Sequence, residues 1–398
     1  MVTRGNVVML CALALLTLGV VMVNSAGMSV APVGETGQLA PGVDPVTFQS
    51  ILTSRPSLYA VVAVVAMLVC GVLPTRWLER SAGLRPSHAL AILAAALVTI
   101  LALLLAVYAP GVGRSVNGAA RWIVVPIAGS LQPSEIAKWG MVVVIACGAV
   151  ASGDGLRRFR GGLPILIAVL CLVCAVIVVE DLGTAVLIGG VGVLVLVAAG
   201  MRLWWLLATV PVAVAGFVAA VLSSPYRVDR VVSFIDPYRD PQGDGYHMIQ
   251  SMATIAGGGP FGRGLGHGLQ KFGYLPEDTS DFLFAVICEE LGLAGASLVI
   301  ALYGVMFVAL AGIVRAADGP VRRLIALGVL LTVAGQATIN LFVVTGLGPT
   351  KGIALPLLSA GGTGWVLTCA ALGLVAAIDR DTERRAVTLG GVREPVAA

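Results

Sequence analysis

An all-α polytopic membrane protein with ten transmembrane helices is the fold class the sequence predicts, and three observations predict it. Of 398 residues, 58% are hydrophobic and only 12% charged, with a mean hydropathy of +0.98. A chain of that composition has lipid as its main solvent, which excludes soluble multi-domain readings; no nucleic-acid partner is expected. Apolar runs of the length that a hydrocarbon core about 30 Å thick requires fall near 5–26, 57–75, 88–108, 134–152, 163–179, 183–200, 203–223, 293–316, 324–345 and 358–378. The third observation is where the arginines lie. Short loops such as Arg157-Arg158-Phe159-Arg160 are dense in them, as cytoplasmic loops are.

Each element has its own signature. The first run follows Arg4 and ends in Asn24-Ser25-Ala26, a pattern shared by secretory signals and uncleaved first helices. The apolar character of the rest favours the helix. Only Glu180-Asp181-Leu182 separates the fifth and sixth runs, so they form a tight helical hairpin. Residues 282–316 are almost continuously apolar, and as one helix they would run about 50 Å, longer than a bilayer is thick. A break at Gly292-Leu293-Ala294-Gly295 is therefore expected, leaving 282–291 as a separate short helix that keeps Glu289 and Glu290 off lipid. The seven cysteines all sit in apolar runs and read as packing residues rather than a disulfide framework.

The basic residues place both termini in the cytoplasm, with residues 379–398 as a cytoplasmic tail and residues 1–398 as one integral-membrane domain. The outer side then carries the long loops at 27–56, 109–133, 224–292 (between spans 7 and 8) and 346–357. Nearly all the informative polar sequence is on that side.

Four clusters stand out there. In the first, Asn117-Gly118-Ala119-Ala120-Arg121-Trp122-Ile123 precedes Gln132-Pro133-Ser134-Glu135-Ile136-Ala137-Lys138. Pro133 and Ser134 suit a helix start. Glu135 and Lys138, three apart, share a face: they either make an ion pair with Lys138 snorkelling to the interface, or line a cavity. The second is Asp181-Leu182-Gly183-Thr184, where Asp181 can cap the sixth helix, serve a site, or do both. The third is the long loop, from Tyr226-Arg227-Val228-Asp229-Arg230 and Asp236-Pro237 through Gly245-Tyr246-His247-Met248-Ile249-Gln250-Ser251 and Gly264-Leu265-Gly266-His267-Gly268-Leu269-Gln270-Lys271 to Leu275-Pro276-Glu277-Asp278-Thr279-Ser280-Asp281-Phe282. Its glycines lack a βαβ setting, so a dinucleotide site is rejected. The fourth runs from Gly348-Pro349-Thr350-Lys351-Gly352 to Ser359-Ala360-Gly361-Gly362-Thr363-Gly364, with Gln336 and Asn340 one turn apart on the preceding helix. Carboxylates (Glu135, Asp181, Asp281, with Glu289 a further candidate) and cations (Arg121, Lys138, Lys271, Lys351) at one membrane level make a functional site by default. The cations suit a pyrophosphate, and a carboxylate beside them suits general-base work.

In this order the clusters resemble the SEDS family of shape, elongation, division and sporulation proteins, over nearly the whole chain. The Pro349-Thr350-Lys351-Gly352 stretch is more similar to the division branch than to the elongation branch. The resemblance implies a SEDS-type fold and a peptidoglycan glycosyltransferase in the bacterial inner membrane, polymerising lipid II outside the cytoplasm beside a class B penicillin-binding transpeptidase and other divisome or elongasome proteins. The family's essential Asp falls on Asp281, and Arg121, Glu135, Lys138, Asp181, Gln250, Lys271 and Lys351 form the implied substrate-binding set. The chain departs from the family pattern at Thr279-Ser280, where His-Thr is usual, at Glu180, where Pro is usual, and at Ala360, where Tyr is usual.

With no nucleotide sugars outside the cytoplasm, the donor must be lipid-linked. An α-linked pyrophosphate converted into a β-1,4 polymer implies a single inverting displacement, with Asp281 as base. No cofactor is certain. A divalent cation (Mg or Mn) is left open as an aid to the leaving pyrophosphate. Two other classes stay open: a lipid II transporter, which would need polar groups continuing to the inner side, and a non-catalytic scaffold that activates the transpeptidase.

Overall fold

The computed structural model describes residues 3–27, 51–82, 86–116, 119–125, 129–158, 161–243, 245–269 and 274–390. The long helices are α1 (Arg4–Ala26), α2 (Arg55–Val72), α4 (Pro86–Ala106), α5 (Pro133–Ser152), α6 (Gly162–Glu180), α7 (Leu182–Ala198), α8 (Leu203–Leu222), α11 (Leu283–Ala316), α12 (Pro320–Val344) and α13 (Thr363–Gly390). Between them lie α3 (Arg76–Ala82), α9 (Pro225–Ile235) and α10 (Tyr246–Gly258). Among the described residues, eight helices are long and apolar enough to cross a membrane, and Ala91–Ala106 and Leu182–Ala198 are shorter apolar helices. All these helices lie near the positions that hydropathy predicts.

Close approach at small residues holds the bundle, as expected where lipid removes the hydrophobic drive between helices. A methyl on Gly373 of α13 would stand 2.2 Å from the Met67 carbonyl of α2. Added Cβ atoms at Gly192, Gly328 and Gly335 would meet Leu170, Val142 and Leu187, which locks α7 to α6 and α12 to both α5 and α7. At one end of the bundle, Asp379 accepts the Gly5 N–H at 2.7 Å, and Arg380 donates to the carbonyls of Gly71, Val72 and Leu73, which end α2. Arg322, almost fully buried, bridges Asp318 at 2.6 Å and Glu79 at 3.6 Å.

Three features differ from the sequence expectation. The fold is not purely helical: β1 (Gly113–Val116), β2 (Ala119–Val125) and β3 (Gly129–Leu131) form an antiparallel sheet in the order β1-β2-β3. Asn117-Gly118, a hairpin signal, carried that information. Second, α13 continues to Gly390 through what reads as a tail, because Asp379 and Arg380 tie its last turns to α1 and α2 while Thr382 and Arg385 bond Asp318. Third, the 224–292 stretch contains two helices, α9 and α10, rather than open loop.

The break in α11 is where the sequence puts it. Gly292 has φ 66° and ψ −162°, a left-handed-side conformation open to glycine. A Cβ there would lie 2.2 Å from the Gly262 nitrogen, because the 259–264 turn packs on the kink and bonds the Glu289, Glu290 and Leu293 backbone. Gly292→Ala should therefore cost about 1–3 kcal/mol in backbone strain alone and more through displaced loop backbone. The check is a lower midpoint of thermal unfolding in detergent than for an exposed-surface control.

Candidate active site

The site forms where α12, the turn before α11 and the non-helical 346–362 segment meet. Gln336 and Asn340, one turn apart on α12, point the same way. Asn340 Nδ2 donates to the Asp281 carbonyl at 2.8 Å and to the Ile353 carbonyl at 2.7 Å, and Gln336 Nε2 donates to the Ala354 carbonyl at 2.8 Å. The Ala360 N–H donates to the Thr279 carbonyl at 2.9 Å, joining the two segments a second time. The turn itself is built on Glu277, a non-glycine residue at φ 55°, whose carbonyl accepts from the N–H groups of Ser280 and Phe282. This backbone places the half-buried Asp281 side chain, which accepts no hydrogen bond among the described residues.

Arginines face it. A Cβ on Gly352 would stand 3.0 Å from Asp281 Oδ2 and 3.9 Å from Arg121 Nη1, so glycine is what lets these groups converge on the 346–362 segment. Arg230, on α9, donates to the Thr350 carbonyl at 3.0 Å and lies over the Tyr226 ring. Burial pushes the Asp281 carboxyl up to about 7; Glu277 and Asp181 add to the rise, while Arg230 and Arg121 oppose it. Desolvation thus outweighs the arginines. Lys351 lies 5.2 Å from the Phe217 ring of α8, and burial lowers its pKa, with Asp181 opposing.

The remaining expected residues divide. Lys138 does not snorkel: it is buried, and its ammonium donates to both Glu135 oxygens at 2.8 and 2.7 Å and to Gln336 Oε1 at 2.8 Å. The Glu135–Lys138 ion pair is therefore real but internal, and Gln336 links it to the Asp281 region. Asp181 caps α7, accepting from the Thr184 N–H at 3.0 Å and hydroxyl at 2.7 Å, and also contributes charge at Asp281 and Lys351. Gln250 is on α10, half-buried, and its side chain makes no hydrogen bond among the described residues. Lys271 lies outside the described residues. Glu289 belongs elsewhere: it accepts the Leu269 N–H and faces Arg263 at 3.6 Å, fastening the 263–269 loop to α11. Arg230 lies in the long-loop cluster but was not among the expected site residues. Its signal was the amphipathic Tyr226-Arg227-Val228-Asp229-Arg230 stretch at the end of span 7. Among the described residues, no group of three or more His, Cys, Asp or Glu is placed to hold a metal ion.

A polytopic helical protein with a half-buried carboxylate amid cations, set beside non-helical backbone, is the class that fold and site define. The family of cell cycle proteins grouping FtsW, RodA and SpoVE matches residues 6–384, and the chain belongs to that family. It is similar to the probable peptidoglycan glycosyltransferase FtsW of Thioalkalivibrio sulfidiphilus, with 37% identity over 94% of this chain and 88% of that protein. Stage V sporulation protein E of Bacillus subtilis is 38% identical over 70% of this chain and 76% of that one. Among solved structures, a chain from work on polymerization and crosslinking by a peptidoglycan synthase complex superposes with a TM-score of 0.67 at 27% identity, covering 94% and 97% of the two chains. The rod shape determining protein RodA of Thermus thermophilus gives a TM-score of 0.58 at 23% identity over 94% and 96%, a likeness of fold.

Removing one partner of the inner ion pair leaves the other charge buried, which typically costs about 3–5 kcal/mol. Lys138→Met should therefore destabilise the protein more than Lys138→Met combined with Glu135→Leu. Thermal unfolding of the two variants in detergent decides it.

Proposed function

We propose that the chain is a peptidoglycan glycosyltransferase that polymerises lipid II into β-1,4 glycan strands on the extracytoplasmic face of the bacterial inner membrane. The FtsW relatives, each a probable peptidoglycan glycosyltransferase, support it. The observation that carries it is the Asp281 carboxylate, poised near neutrality between Arg121 and Arg230. The arginines and Lys351 hold the donor pyrophosphate as charge grows on the leaving group. Asp281 takes the proton from the acceptor sugar's 4-hydroxyl as that oxygen attacks the donor's anomeric carbon. The C–O bond to pyrophosphate breaks on the opposite face, and the configuration inverts. A general base works best with a pKa near the operating pH. Both termini lie in the cytoplasm, and the partner is a class B penicillin-binding transpeptidase, in keeping with the synthase-complex neighbour. Division is the role favoured by the FtsW relatives.

Asp281→Asn should lower lipid II polymerisation by about 10²–10⁴-fold, the usual contribution of a general base, with normal membrane insertion. Fluorescent lipid II, the purified protein and a cognate transpeptidase, resolved as glycan ladders on a gel, provide the measurement. Ladders of wild-type intensity from the variant would remove Asp281 from the mechanism.

The pH dependence has a definite sign. The base acts ionised, so kcat/KM should rise with pH to a plateau above about 7 and fall tenfold per unit below it. Arg230 favours the ionised form, so Arg230→Ala should move this acid limb to higher pH. An unmoved limb would place the titrating group elsewhere.

A further inference from the structure

Glu180 ends α6, and its contacts converge on Arg121. Carboxylate Oε2 accepts the Ala120 N–H at 2.9 Å, and Oε1 accepts from the Tyr108 hydroxyl at 3.1 Å. Its backbone carbonyl accepts from Arg121 Nη2. One residue therefore fixes both the strand just before Arg121 and the far end of its guanidinium. Arg121 Nε is buried without a hydrogen-bond partner, in a cavity lined by Tyr108, Arg121, Ser134, Glu180 and Asp181. Among the described residues, the hydrogen bond of the head group is the one to the Glu180 carbonyl.

We propose that Glu180 is a positioning residue: its carboxylate docks β2 on the end of α6 so that the Arg121 guanidinium is aimed at the Asp281 carboxylate. This rests on the reading of Arg121 and Asp281 as polymerase machinery. Hydrogen-bond acceptance, not charge, does the docking. A glutamine can still accept the Ala120 N–H through its oxygen and donate to the Tyr108 oxygen through its amide. A leucine can do neither.

The test compares wild type, Glu180→Gln, Glu180→Leu, Arg121→Ala and the Glu180→Leu/Arg121→Ala double variant in lipid II polymerisation, with kcat and KM separated. Glu180→Leu should lower kcat by about ten- to a hundredfold, as misplaced active-site groups do. Glu180→Gln should retain most of the rate, and Glu180→Leu should add no further loss to Arg121→Ala. Asp281 is faced by Arg121 from β2, Arg230 from α9, Asp181 from the α6–α7 turn and Glu277 from its own turn. Retreat of Arg121 should therefore move the acid limb to higher pH in Glu180→Leu but not in Glu180→Gln. Wild-type rates in Glu180→Leu, equal losses in the Gln and Leu variants, or a loss that adds to that of Arg121→Ala would each overturn the proposal.

Amide hydrogen exchange at Ala120 supplies a readout without turnover. It should quicken in Glu180→Leu and stay slow in Glu180→Gln, and unchanged exchange in the leucine variant refutes the docking. A wild-type protein that makes no glycan would sink the polymerase reading while leaving the exchange test intact. Should Glu180→Leu fail to accumulate, Glu180→Ser, too short to reach Ala120, carries the same comparison.

Discussion

Two carboxamides on one face of α12 keep the site in one piece. Residues 346–362 enter the bundle as non-helical backbone, and every peptide group withdrawn from water without a partner costs several kcal/mol at membrane depth. Asn340 meets that demand for two segments at once by donating to both the Asp281 and Ile353 carbonyls. Gln336, one turn away, satisfies Ala354 and accepts from Lys138. The Glu135–Lys138 pair is thus joined to Asp281 through α12 rather than by direct contact. Because Asp281 is held by its carbonyl, its carboxylate stays uncommitted. Under the proposed reading Asp281 is a base that must be both placed and free, and a backbone tie achieves the two together.

That freedom has an electrostatic counterpart. Two arginines would ordinarily depress a neighbouring carboxyl, yet burial with Glu277 and Asp181 leaves Asp281 near neutrality. Under the proposed reading, a bound pyrophosphate would offset the charge of Arg121 and Arg230, the two groups that hold the carboxyl down. Donor binding would then strengthen the base at the moment an acceptor hydroxyl needs it. The same arginines serve leaving group and base, so loss of either one should disturb binding and proton transfer together.

Hydropathy made the helices legible because a span must be long, apolar and internally hydrogen-bonded. It also located the Gly292 kink, since no single straight helix could run from Leu283 to Ala316. The sheet was harder to see: its strands are short, and β2 carries Arg121 and Trp122 amid apolar residues, so periodicity of two does not stand out. The helical reach of α13 was not legible because Asp379 and Arg380 look solvated in sequence but are anchored by α1 and α2. In the site, residue types singled out Asp281, Arg121, Lys351 and Asp181, and the fold brings these near one another. Composition could not show that Lys138 turns inward to Gln336 or that Glu289 turns away to the 263–269 loop. Both outcomes depend on pairings between distant segments.

The departures from the family pattern can be sorted by what holds each position. Thr279 and Ala360 meet through main-chain atoms, the Ala360 N–H and the Thr279 carbonyl. Side-chain changes at those two positions leave that bond available, so the turn that presents Asp281 can survive them. Position 180 is different. A proline there has no side-chain acceptor, whereas Glu180 reaches both the Ala120 N–H and the Tyr108 hydroxyl. The carbonyl that accepts from Arg121 is common to any residue, but the two carboxylate contacts are not. The departure that changes the most chemistry is therefore the one next to Asp181, on the side from which Arg121 enters. Under the proposal for Glu180, the change there adds restraint around a cation.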